Sequence, residues 1–183
     1  MTGQATLGKR GPAPALPHVD MTVELMIDSY RVTGELYSTG RPRRLVDILN
    51  AVEKPFVVVH DGELEDPLIE DDEPRRFDVV HVHLETILFA IPRSDSHVHP
   101  DPYEIIEKVP VPSTVTVPGY ELTGNVFLMP GMDPAGNHLI GGHHFIPMTD
   151  VTIRANGSAA TNWCEPIVVL NLARTRVFAP GRG

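Results

Sequence analysis

"YRVTGELY" at residues 30–37 and "YELTGNVF" at residues 120–127 decide how this chain is read, because one pattern of aromatic, alternating apolar residue and internal glycine occurs twice, ninety residues apart. Tyr30, Thr33 and Gly34 fall on Tyr120, Thr123 and Gly124, and Val32, Leu36 and Tyr37 fall on Leu122, Val126 and Phe127. With one residue dropped, "PFVVVHDGEL" (55–64) then lies on "HFIPMTDVTI" (144–153), so that Phe56 meets Phe145 and Asp61 meets Asp150. A second residue is dropped before "HVHLETILFAIP" (81–92) lies on "VVLNLARTRVFAP" (168–180), with Leu84 on Leu172 and Pro92 on Pro180. Order kept over this length with two small offsets reads as duplication and divergence.

Each copy has the periodicity of a half-buried hairpin. Val23, Leu25 and Ile27, then Val32 and Leu36, alternate with Thr22, Glu24, Arg31, Thr33 and Glu35; Val115, Val117, Leu122 and Val126 repeat the pattern around a Pro-Gly turn. Gly34 and Gly124 stand inside their strands, which marks a bulge or a close backbone approach at a sharp bend. Leu45, Ile48 and Leu49 in "RPRRLVDILNAVEKP" have helical spacing, so one or two turns of helix are expected to plug the first sheet. The second copy has "DPAGNHLIGGHH" there, whose Gly141 and Gly142 each weaken a helix by roughly 1 kcal/mol, and the plug is expected to be lost. Further strands are expected near 56–60, 78–91, 145–153 and 166–178, with Pro147 confining its stretch to an edge or bulge.

The expected fold is therefore mainly β: two tandem, diverged small β-barrel or curved-sheet domains, with one short helix in the first copy. The chain divides into a flexible N-terminal tail (1–20), a first β-domain (21–92), a Pro-rich linker (93–112) and a second β-domain (113–180). The first copy, through "YRVTGELY", "RLVDILN" and "FVVVHDGEL", resembles a bacterial small β-domain family whose members share a Tyr-x-Val-x-Gly strand, an Arg-Leu-x-Asp-x-Leu-Asn turn of helix and a Phe-led strand ending in Asp. The resemblance covers 21–92 well and 113–180 weakly, lacks the helical element in the second copy, and implies an architecture without an activity. At the level of fold alone, hairpin, helix and bent strands are similar to Sm-like small barrels, which assemble into rings.

Composition narrows the function classes. The apolar content of 42% suits a packed core, and the single cysteine, Cys164, makes no internal disulfide. The apolar runs fall far short of the roughly 20 residues a membrane span needs, so no membrane is expected and the chain reads as cytoplasmic. The net charge of −9, with seven carboxylates among residues 63–74, disfavours binding to phosphate backbones, and the basic spots "RPRR" (41–44) and "ARTR" (173–176) are not interleaved with aromatics. Residues 63–74 lack the ligand spacing and central glycine of a calcium loop.

Nine histidines raise metal chemistry. His81 and His83, two apart on one strand, point to one face and are the candidate pair for a transition metal such as zinc, with His143 or His144 reaching from the other copy. His97, His99 and Glu104 resemble the first half of a cupin motif, without its flanking glycines or second half. The plainer reading is that exposed strands simply accept histidine, since the duplicate does without the pair: His81 aligns with an apolar residue and His83 with Asn171. Cys164 has no local base and reads as a buried apolar filler, and no phosphate-binding glycine loop is present. No catalytic residue emerges. Two short sheets with open edges point to a structural or adaptor protein acting through homo-oligomerisation or a protein partner, with a histidine-dependent metal protein, a metalloenzyme among its forms, as the alternative.

Overall fold

The computed structural model describes residues 18–28, 30–38, 44–51, 55–66, 73–94, 108–132, 144–156 and 162–181. Among these residues ten strands follow in chain order: β1 (His18–Ile27), β2 (Tyr30–Ser38), β3 (Phe56–Glu65), β4 (Arg75–His83), β5 (Ile87–Pro92), β6 (Val109–Val117), β7 (Tyr120–Leu128), β8 (Phe145–Ala155), β9 (Asn162–Asn171) and β10 (Val177–Pro180). One α-helix, α1 (Leu45–Ala51), lies between β2 and β3, and 3₁₀ turns at Leu84–Thr86 and Leu172–Arg174 separate β4 from β5 and β9 from β10. Among the described residues no helix is long and apolar enough to cross a membrane.

All ten strands join one antiparallel sheet in the order β10-β6-β7-β8-β9-β5-β1-β2-β3-β4. Its two five-stranded halves run in the same sense, fifth strand, then first to fourth. Their registers also agree. Val32 opposes Leu64 and Glu35 opposes His60, while Leu122 opposes Ile153 and Asn125 opposes Thr149, each with a register shift between the two pairs. At each shift a glycine lies under the neighbouring strand: a Cβ on Gly34 would stand 2.6 Å from the carbonyl oxygen of His60, and one on Gly124 2.7 Å from that of Thr149. The strand opposite bends at a residue with left-handed backbone, Asp61 (φ 47°) and Asp150 (φ 52°), a conformation that Asp tolerates better than most residues.

The sheet is not closed into a barrel. Closure of either half would require its fourth strand to meet its fifth, but β5 pairs with β9 of the other half, Phe89 with Leu170 and Ala90 with Val169. The apolar run of β5 is accordingly buried on both faces. Ile87 and Ala90 join one core with Met21, Val23, Leu25, Val32, Leu45 and Leu49; Leu88, Phe89 and Ile91 join the other with Val115, Leu122, Val126 and Met148. Complete burial of such side chains stabilises by about 1.5–3 kcal/mol each.

Several expectations change. The stretches 78–91 and 166–178 are each two strands, broken where a side chain caps a 3₁₀ turn: His83 Nδ1 accepts from Glu85 N at 3.2 Å and Asn171 Oδ1 from Ala173 N at 3.0 Å. β6 begins at Val109, inside the stretch read as linker, because its prolines pair only with β7 on one side. The backbone of β1 likewise begins at His18, inside the stretch read as tail. Pro147 is paired with Val169 on β9 but lies beyond the last β7 pair, Val126 with Met148, so β8 is locally an edge where its N–H is missing. The stretch in which the helical plug is expected to be missing falls largely in residues 133–143, outside the described residues, and the cupin-like string at 97–104 lies outside them altogether.

Candidate functional site

The histidine pair sits on β4, the last strand of the sheet. His83 opposes Phe56 and His81 opposes Val58 on β3, so all four side chains share one face, as a two-residue spacing demands. Phe56 meets both imidazoles edge-on, with ring centroids 4.9 Å from His83 and 6.5 Å from His81. His81 is exposed; His83 is half-buried and its Nδ1 is taken by the Glu85 amide. His144, exposed at the start of β8, lines with His83, Glu85, Asn50 and Asn171 a cavity of about 390 Å³ between the halves. The structure thus brings His83 and His144 to one cavity. Among the described residues, however, no three His, Cys, Asp or Glu side chains form a group able to hold a metal ion, and His143 lies outside them. Cys164 is exposed, not buried: it occupies the outward face of β9 with its Sγ 3.6 Å from Thr152 Oγ1.

That cavity belongs to the junction of the halves, where polar contacts are concentrated. Asn50 of α1 forms a two-bond clasp with the backbone of Phe145, donating from Nδ2 to its carbonyl (2.9 Å) and accepting at Oδ1 from its amide (3.0 Å). Asn171 Nδ2 donates to the carbonyls of Leu84 (3.1 Å) and Ile87 (2.8 Å) in the first half. Arg93, just after β5, reaches Glu24 of β1 and Glu165 of β9 with contacts of 2.8–2.9 Å. Both carboxylates are buried. Arg174 pairs with Asp28 across the same junction, so part of the basic spot at 173–176 holds the fold.

The outer edges are the opposite case. Neither β4 nor β10 has a second strand neighbour among the described residues. Phe56, Val58, Phe77 and Val79 form an exposed apolar group on β3 and β4, and Val177 is exposed on β10. Charged residues flank this group: Arg76 pairs with Glu63 at 2.9 Å, and Arg31 pairs with Glu65, which ties the start of the acidic stretch to the sheet. The sequence placed the two histidines on one face correctly. It missed Phe56, Phe77, Val79 and Val177 as surface residues, although the signal existed: β4 carries apolar side chains at Phe77 and Val79 where an exposed edge calls for charge.

Compared with protein-family models, with curated proteins and with solved structures, the chain matches none. Nothing in these comparisons bears on the expected resemblance of residues 21–92 to a bacterial small β-domain family.

Proposed function

We propose that this protein is a non-catalytic structural or adaptor protein, built from two tandem, diverged copies of one five-stranded unit, which works by adding strands to the open edges of its sheet. The repeat is supported by five features that recur at matched positions: strand order, register shift, glycine contact, left-handed Asp and capped 3₁₀ turn. The single observation that carries the function is the apolar edge at β4, which has no second strand neighbour among the described residues, with its exposed Phe77 and Val79. Backbone N–H and C=O groups at such an edge offer a template for another strand, and apolar side chains beside it supply affinity. Homo-oligomerisation and binding of a protein partner both use this chemistry.

The test is to place charge on the edge without disturbing the core. Phe77→Lys combined with Val79→Glu alters residues already exposed, so the thermal midpoint should stay within a few degrees of the parent, while the native mass or the capture of a defined partner is lost. An unchanged assembly state and an unchanged partner profile would remove this reading.

A further inference from the structure

We infer that the occupant of the open edges is a second copy of the same chain, docked head to tail, with β10 of one molecule antiparallel to β4 of the next in the register of the internal β5–β9 pair. The inference rests on the scaffold reading above and assigns its partner.

The molecule contains one such junction already. β5 is the fifth strand of the first half and β9 the fourth strand of the second. The strands left over are β10, a fifth strand, and β4, a fourth: the same two kinds of edge, at opposite ends of the sheet. Matched positions differ in burial as this requires. Phe145, beside the internal junction, is 2% exposed, and Phe56, its match, 43%; Phe89 of β5 is 0% exposed, and Val177 of β10, its match, 53%. Val169 and Asn171 are buried on β9, whereas His81 is exposed and His83 half-buried on β4. These shielded positions at the internal junction are matched by more open ones at the edges, while Leu170 and its match Val82 are buried in both. Transferring the register of Phe89 with Leu170 and Ala90 with Val169 sets Val177 opposite Val82 and Phe178 opposite His81 of the next molecule.

His83 fits the same scheme. Asn171 uses one end of its amide to cap its own turn and the other to bind carbonyls of Leu84 and Ile87 across the junction. His83 caps the matching turn through Nδ1, which in the neutral imidazole leaves Nε2–H as a donor. In the docked pair that donor faces the carbonyls of Leu172 and Thr175 of the neighbour, the matches of Leu84 and Ile87. The histidine pair is then a junction element, not a metal site. Pro180 does not obstruct docking, because its match Pro92 ends β5, which pairs with β9 nonetheless. Such a junction is heterologous, so repetition gives a ring where the rotation closes and a filament where it does not.

The experiment uses the full chain with Cys164→Ser as background. His81→Cys and Phe178→Cys, opposed in the transferred register, lie within disulfide reach only in the docked pair. Oxidation should give covalently linked multimers, while a slipped pair, His81→Cys with Val177→Cys, links at least tenfold less. Native mass spectrometry of the parent should show an oligomer, dissociated at least tenfold more readily by Val177→Lys or His83→Ala and retained in His83→Asn. A parent that is a single chain at tens of micromolar, or equal linking of both cysteine pairs, overturns the inference. A single-chain parent that captures a defined different protein, with capture lost in Val177→Lys, overturns it while leaving the scaffold reading intact. A single-chain parent indifferent to both this and the β4 substitutions removes both.

Discussion

Tyr120 shows how one residue couples the halves. It is buried at the start of β7, meets Phe89 edge-on at 5.4 Å and Trp163 at 6.1 Å, and its hydroxyl donates to Met26 Sδ at 3.4 Å. Burial raises its phenol above the ordinary value of 10, with the carboxylates of Asp66 and Glu24 acting in the same sense and Arg31 against them. The sign of the consequence follows from linkage. Above pH 10 the unfolded chain releases the phenolic proton while the folded chain keeps it, so the unfolded state gains and stability falls as pH rises towards the raised value. Tyr120→Phe should be nearly neutral at pH 8, since a thioether is a weak acceptor, and should unfold with a smaller loss of urea midpoint than the parent between pH 8 and pH 10.5. Parallel losses in the two proteins would show that Tyr120 does not carry the effect. Its match, Tyr30, is exposed. The sequence paired these two tyrosines without distinguishing them, because burial of Tyr120 comes from Phe89 and Met26, far away in the chain.

At the scale of the element, the bend shared by β2 with β3 and by β7 with β8 is the feature most legible in the sequence. An internal glycine and a downstream Asp recur at fixed spacing, and both have a local cause: a Cβ on Gly34 would stand 2.5 Å from Val59 Cγ1, and Asp61 adopts left-handed backbone. Gly34→Ala should therefore cost about 2 kcal/mol or more through overpacking. Gly124→Ala should cost less, because its tight contacts are 2.7 Å to Thr149 O and 3.1 Å to Val151 Cγ2. Urea unfolding of the two variants checks the order: equal midpoints would refute the added effect of Val59, and midpoints unchanged from the parent would refute a steric origin. The turns that divide β4 from β5 and β9 from β10 were illegible for the converse reason. "HVHLETILFAIP" reads as one apolar-rich strand, and the break depends on caps by His83 and Asn171 and on amides of Leu84 and Leu172 donating to the carbonyls of Pro55 and His144, each at 2.8 Å. Nothing in the run itself announces those partners.

At the scale of the molecule, the exchange of edges between the halves makes the two cores one cooperative object. β5 lends side chains to both, and only its continuous apolar run hinted at burial on two faces. The polar lock on this arrangement is Arg93, whose guanidinium is held charged by the carboxylates of Glu165 and Glu24 against the opposing effect of its own burial. Removing it strands two buried carboxylates near each other, with Arg31 3.6 Å from Glu24 as the cation left beside them among the described residues. Loss of one partner from a buried ion pair typically costs about 3–5 kcal/mol; with the Arg93 side chain 35% exposed, water reduces this, and Arg93→Met should cost about 2–3 kcal/mol. Adding Glu165→Gln should recover part of that loss, because an amide buried there carries no charge. Both proteins should unfold in a single transition reported alike by tryptophan fluorescence, which follows Trp163 in the second half, and by far-ultraviolet dichroism, which follows both. Two separated transitions would mean that the halves are independent and that β5 does not join their cores, and an Arg93→Met protein within 0.5 kcal/mol of the parent would mean that the backbone pairing of β5 with β9 holds without its ion pairs.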